Sequence, residues 1–193
     1  MSTTNTLTDI ANKLGTDKGT EHFEAHSYTE VYDSLFYLWR ENNIKMLEVG
    51  IWDPRFPGAS VRMWKEYFPY LKFVGFDINP QSRVLESADT HVFIGDASKP
   101  EDLLSCGNSY YDNYDIIIDD GSHRSEHIIN AFHMLFPFVK PGGFYIIEDL
   151  HCQQAKAQET IRDLCFIIES EKHKVQSKVL EAGGKMLVIK KGV

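Results

Sequence analysis

Two short acidic clusters hold most of the chemistry this sequence can do. One is Asp119-Asp120-Gly121-Ser122-His123, directly after the apolar run Ile116-Ile117-Ile118. The other is Glu148-Asp149-Leu150-His151, directly after Phe144-Tyr145-Ile146-Ile147. Each sets carboxylates and a histidine at the carboxyl end of a strand-like run, the edge where open parallel α/β sheets bind ligands. Carboxylate oxygens suit a hard cation such as Mg2+, which keeps water positions open for a substrate. Histidine, with an ordinary pKa near ~6.5, suits a general base beside it. On neighbouring strands, ~4.8 Å apart, Asp120, Glu148 and Asp149 would converge on one cation, with His123 a short turn away as the base. Asp119 would face the other side of its strand, toward a cofactor. The alternative is that these acids cap the helices that follow, although three carboxylates packed without a cation repel one another. His151 is read as structural or supporting. His127 and His133, on the next helix, and His22 and His26, near the N-terminus, are read as polar residues outside the ligand set.

The elements that must position these groups alternate between short apolar runs and helical stretches. Strands are expected at Met46 to Val49, Phe73 to Phe76, His91 to Ile94, Tyr114 to Ile118 and Phe144 to Ile147. Such runs suit parallel strands covered on both faces. Ser60 to Tyr67, His127 to Leu135 and Gln154 to Glu171 carry apolar residues at helical spacing. Pro141-Gly142-Gly143 reads as a turn, and Ser105 to Asn113 as a polar, aromatic surface loop. Lys174 to Leu180 and Lys185 to Lys190, about Ala182-Gly183-Gly184, read as a hairpin. The fold class is therefore α/β: a Rossmann-like, doubly wound, mostly parallel sheet with a C-terminal antiparallel hairpin. Residues 1–43 form a helical cap or lid segment, in which Tyr28, Val31, Tyr32, Leu35 and Phe36 read as core packing. Residues 44–193 form the main domain.

Composition narrows the partners. The chain has 193 residues, 42% of them hydrophobic, and a formal charge of −8. That balance argues against nucleic acid or an anionic membrane as partner. No run approaches the ~18 apolar residues of a membrane span, and no signal peptide is visible. Cys106, Cys152 and Cys165 have no CxxC spacing, so they read as reduced thiols of a cytoplasmic protein. A homo-oligomer is compatible with the sequence.

A second set of residues points to a nucleoside. Gly50 follows the first strand at Leu47-Glu48-Val49, where a glycine lets the chain turn sharply and a ligand come close. Asp77 ends the second strand and suits the two hydroxyls of a ribose. Asp96 ends the third and suits an adenine amine, or else caps the next turn. No GxGxxG fingerprint is present.

Taken in order, Glu48-Val49-Gly50, Asp77, Gly95-Asp96 and the C-terminal hairpin resemble class I S-adenosylmethionine-dependent methyltransferases. The finer resemblance is to the Mg-dependent macrolide-sugar and rhamnosyl O-methyltransferases, of the mycinamicin type, and their cephalosporin-tailoring relatives. It runs through Gly15-Thr16-Asp17-Lys18-Gly19, Tyr28 with Tyr32, Met63-Trp64, Asp119-Asp120-Gly121-Ser122-His123, Lys140-Pro141-Gly142-Gly143 and Ile147-Glu148-Asp149-Leu150. It covers most of residues 14–152. The resemblance implies S-adenosyl-L-methionine and Mg2+ as cofactors and a sugar hydroxyl as acceptor. It implies a cofactor site lined by Glu48, Gly50, Ser60, Asp77, Asp96 and Asp119, with Thr16 and Lys18 over the methionine end. There the lysine would meet the methionine carboxylate. The loop Ile51 to Pro57 departs from the shorter form of the family. A catechol, a phosphate- or carboxylate-bearing capsule precursor, and a non-catalytic cofactor-binding module remain alternatives.

Overall fold

The computed structural model describes residues 5–22, 24–150, 164, 175–178 and 186–193. Among these residues, seven strands form one sheet: β1 (Lys45–Val49), β2 (Lys72–Asp77), β3 (Thr90–Ile94), β4 (Tyr114–Asp119), β5 (Val139–Ile147), β6 (Val175–Lys178) and β7 (Leu187–Lys191). Their order is β3-β2-β1-β4-β5-β7-β6. The first five strands pair in parallel, and β7 runs antiparallel to both β5 and β6. The chain builds outward from β1 to β3, then crosses back to add β4 on the other side of β1. This reversal opens a crevice outside the carboxyl ends of β1 and β4.

The central strands are apolar along their length because helices cover both faces. Met46, Ile116, Ile118 and Ile146 face one layer, built from α1 (Leu7–Leu14), α2 (Thr29–Phe36) and α3 (Ala59–Tyr67). Leu47, Ile117, Tyr145 and Ile147 face the other, built from α4 (Pro100–Ser109) and α5 (Ser125–Leu135). A Thr6–Asp9 capping box starts α1, and Gly15, in the left-handed region at φ 71°, ends it. Tyr28, Tyr32 and Phe36 are fully buried, with Tyr32 edge-on to Trp64 at 5.0 Å between ring centroids.

Two local expectations are corrected. Pro141-Gly142-Gly143 lies inside β5, which begins at Val139. A register shift between Tyr114 and Ile116 absorbs the irregularity. Gly143 is needed there because a Cβ would come 2.7 Å from the Asp115 carbonyl oxygen. Ser105 to Ser109 is helical, because Leu103 and Cys106 turn one face of α4 into the core. Tyr110 then stacks on His91 at 4.7 Å. The helix expected over residues 154–171 and the turn at 182–184 lie outside the described residues, except that Leu164 is helical and buried. Among the described residues, no helix is long and apolar enough to cross a membrane.

Gly50 is where backbone freedom matters most. Its φ is +84°, and a Cβ would lie 2.1 Å from the Asp120 carbonyl oxygen. Gly50→Ala adds both left-handed strain and a backbone clash, so it should lower stability by about 2 kcal/mol or more. Urea unfolding monitored by tryptophan fluorescence checks this, and an unchanged midpoint would contradict it.

Candidate active site

A cavity of about 710 Å3 occupies the crevice. Gly50 and Asp77 line it from the ends of β1 and β2, Gly95-Asp96 from the end of β3, and Asp120 and His123 from the turn after β4. The wall is completed by Thr16, Ser60 and Asp149. The N-terminal segment and the loop after β1 meet at the cavity: His22 packs edge-on to Phe56 at 4.7 Å, and Glu24 pairs with Arg55 at 3.3 Å.

The strand period of two explains which acids meet. β1 and β4 are neighbours, as are β4 and β5. The ladder runs past the strand ends, with Asp120 N–H donating to Val49 and Glu148 N–H to Asp119. Glu48, Asp120 and Glu148 thus fall on the same side of the sheet as Met46, Ile118 and Ile146. The turn after α1 covers that side and delivers Lys18. Its ammonium lies 2.5 Å from Asp120 Oδ2, 2.6 Å from Glu148 Oε2 and 3.5 Å from Glu48 Oε1. Lys18 is 1% exposed. Burial works against its charge, but Asp120, Glu148 and Glu48 outweigh it and hold the pKa well above its usual value.

On the cavity side, Asp120, His123 and Asp149 each offer a ligand atom, all within 4.8 Å of one another. His123 Nε2 is 3.6 Å from Asp149 Oδ2, and His26 Nε2 is 3.6 Å from Asp149 Oδ1. Tyr28 donates to Asp149 Oδ1 at 2.6 Å. Burial pushes the Asp149 pKa up, but the Tyr28 hydroxyl and the facing His123 and His26 bring it below the usual value. His123 (φ 56°) and Asp149 (φ 54°) both adopt the left-handed backbone that side-chain-bearing residues avoid. Strain of this kind persists only where surrounding structure enforces it, and it concentrates at functional sites.

The residues singled out by sequence divide into two groups. Thr16, Gly50, Ser60, Asp77, Asp96, Asp120, His123 and Asp149 line the cavity. Lys18, Glu48, Asp119 and Glu148 lie outside its lining. Lys18 is expected at the methionine carboxylate; its ammonium instead turns inward to the strand-end acids. Glu148 gives one oxygen to Lys18 and the other to the Tyr32 hydroxyl, so it sits behind Asp120 and Asp149. Glu48 accepts from Ser60 at 3.1 Å. Asp77 Oδ2 accepts from the Ile51 and Trp52 amides, at 2.8 and 2.9 Å, which pins the loop after β1. Asp96 Oδ1 accepts from the Ser98 amide, the capping role left open by its sequence context.

Several site residues carry no sequence signal of their own. Tyr28 and Tyr32 read as core, and they are; only the packing shows their hydroxyls reaching Asp149 and Glu148. His26 is a long-range neighbour of the acidic edge, at Asp149, and His22 lines the cavity against Phe56. His127 lines the cavity, its Nδ1 2.7 Å from the Ser122 hydroxyl, a contact made by one turn at the start of α5. His151 lies outside the described residues.

The strand order, the hairpin and the crevice define the class I S-adenosylmethionine-dependent methyltransferase fold. Within that class, the chain is similar to sugar O-methyltransferases of natural-product pathways. It is 42% identical over 128 residues to demethylmacrocin O-methyltransferase of Streptomyces fradiae, covering 65% of this chain and 32% of that one. It is 38% identical over 147 residues to 8-demethyl-8-alpha-L-rhamnosyl tetracenomycin-C 2'-O-methyltransferase of Streptomyces olivaceus, covering 75% of this chain and 37% of that one. The structure superimposes on MycE methyltransferase in complex with Mg, SAH and mycinamycin VI. That match has a TM-score of 0.83 and 30% identity, over 99% of this chain and 56% of MycE. The chain thus matches about a third of the length of these curated relatives. No family model matches it.

Asp119 gives a test of how dry this edge is. Burial pushes its pKa from the usual 3.8 to about 7, although the Gly121 amide donates to Oδ1. Its Oδ2 is buried without a hydrogen-bond partner among the described residues. The folded state therefore holds a proton that the unfolded chain releases near pH 4. The stabilising effect of that proton is full below about pH 4 and is lost as pH rises to about 7, on the order of 1 kcal/mol per pH unit. Asp119→Asn should flatten this slope and raise stability at pH 8. Chemical denaturation between pH 4 and 8 measures it, and a parallel slope in the variant would contradict the assignment.

Proposed function

We propose that this chain is an S-adenosylmethionine- and Mg2+-dependent O-methyltransferase acting on a hydroxyl of a sugar or glycosylated small molecule. One juxtaposition carries the reading: Asp120, His123 and Asp149 stand on the wall of a cavity that continues to Asp77 and Asp96. The names of the sugar O-methyltransferases it resembles support the acceptor class. The residues fit both implied groups. The cavity side offers two carboxylates to a hard cation, with Asp149 favoured in its ionised form and the His123 imidazole beside them. The cavity volume falls within the ~300–1,000 Å3 usual for small-molecule sites. Trp52 lines it with an indole N–H that has no hydrogen-bond partner among the described residues.

When bound, the cation supplies Lewis acidity toward an acceptor oxygen and the cofactor supplies an electrophilic methyl group. The chain's own residues do the rest. Asp120 and Asp149 would hold the cation, with Glu148 joined to Asp120 through Lys18 behind them. His123 Nε2 takes the hydroxyl proton, and Asp149 beside it stabilises the imidazolium that forms. Asp77 offers its carboxylate to ribose hydroxyls while pinning the loop after β1, and Asp96 faces the adenine end. Gly50 lets the backbone approach the cofactor, and Thr16 and Ser60 border the methionine end. Lys18, Glu48 and Asp119 support that end from outside the cavity lining. The N-terminal segment and the loop after β1 screen the reacting atoms from water.

His123→Asn keeps a side chain that tolerates left-handed backbone. It should lower kcat by about 100-fold or more while leaving S-adenosylmethionine affinity within about twofold. Calorimetry with the cofactor, and methyl transfer to a panel of glycosides with a catechol and a sugar phosphate included, test both parts. Failure of the wild-type protein to bind S-adenosylmethionine would sink the reading. Transfer to the catechol alone would overturn the acceptor class.

A further inference from the structure

Four carboxylates, Glu48, Asp120, Glu148 and Asp149, gather at this edge, and all but Asp120 are buried. Carboxylates so confined repel one another and lose water, which pushes the pKa values of Glu48, Asp120 and Glu148 up, so they need a counter-charge to be ionised together. In many metal proteins the metal is that counter-charge, and folding then depends on it. Here the counter-charge is already part of the chain. Lys18 Nζ touches Asp120 and Glu148 and approaches Glu48, all at salt-bridge distance, from a side chain that is 1% exposed. It comes from a sequence-distant turn held down by its own contacts: Lys18 O accepts from the Thr29 amide at 3.1 Å, and Gly19 O accepts from the Ser27 amide at 3.0 Å. Tyr32 and Tyr28 donate to Glu148 and Asp149, which orients the acids without adding charge. Lys18 itself lies outside the cavity lining, whereas Asp120 belongs to both cavity and cluster.

We propose that Lys18 is a positioning residue: a permanent internal cation that keeps the carboxylates of the site assembled without metal, so that folding does not depend on the divalent ion. The proposal rests on the divalent-cation reading above. It assigns to the metal a chemical role only. It also explains why a lysine is buried beneath a site that already has a cation to bind. Because Lys18 reaches the sheet from the N-terminal segment, the same ion pairs fasten that wall of the cavity in the metal-free protein.

The test compares melting temperatures in EDTA and in excess Mg2+, with Mg2+ affinity from calorimetry, for wild type, Lys18→Met and Lys18→Met/Glu148→Gln. Wild type should bind Mg2+ and melt cooperatively in EDTA, and Mg2+ should raise its melting temperature by no more than the measured affinity and concentration account for. Lys18→Met should melt well below wild type in EDTA, and Mg2+ should recover much of that loss, which widens the gap severalfold. The double variant removes one charge of each sign, so its EDTA melting temperature should return toward that of wild type. If Lys18→Met does not fold at all, recovery of the metal-free fold by the double variant still decides the question. An Mg2+ gap no wider in a folded Lys18→Met than in wild type overturns the proposal, as does a double variant no more stable in EDTA than Lys18→Met. A wild-type protein that binds Mg2+ but shows either result loses only the Lys18 role. A wild-type protein that binds no Mg2+ overturns the metal reading and this proposal together.

Discussion

An ammonium group taken out of water stays charged only if carboxylates replace its hydration shell, and the carboxylates need it in return. The contact of Lys18 with Asp120, Glu148 and Glu48 meets both demands, and much of the structure is arranged around it. It requires β4 between β1 and β5, so that three strand ends bring their acids to one side. It requires α1 to end at Gly15, so that the following turn drops onto that side. Tyr32 on α2 and Tyr28 at its N-terminal edge add donors to Glu148 and Asp149 from within an apolar layer.

The same edge divides into a dry interior and a wet wall. Glu48, Glu148 and Lys18 form the interior, where ion pairing must offset desolvation. Asp149 and His123 form the wall, reached by two left-handed residues that break the strand direction. Asp120 belongs to both. A ligand on the wall therefore feels the interior charges through one shared carboxylate. Gly50 permits this closeness, since only a residue without Cβ lets the turn after β1 press on the backbone of Asp120.

The nucleoside half of the crevice follows a different logic. Asp77 lies on the wall, but its oxygens already accept three amides, from Ile51, Trp52 and Asn79. It is thus as much a brace for the loop after β1 as a candidate ligand group. A carboxylate can do both because each oxygen has two lone pairs. The loop at Ile51 to Pro57 reaches across to the N-terminal segment, where Phe56 meets His22 and Arg55 meets Glu24.

By itself the sequence determined the class of fold, the two acidic strand ends and the order of the cofactor-side residues. These are legible because strand runs, turn glycines and carboxylates after a strand are local patterns, each spanning a few residues. The irregular start of β5 and the last turn of α4 were misread for the same reason: turn-forming residues signal locally, while pairing with β4 and burial of Leu103 and Cys106 overrule them from afar. Only the tertiary structure decided where Lys18 goes, that Glu148 stands behind Asp149, and that Tyr28, Tyr32, His26 and His127 belong to the site. Those facts depend on contacts between residues up to 130 positions apart. No local pattern encodes which side of a strand end a distant ammonium will cover; the packing of α1 and α2 on the sheet does.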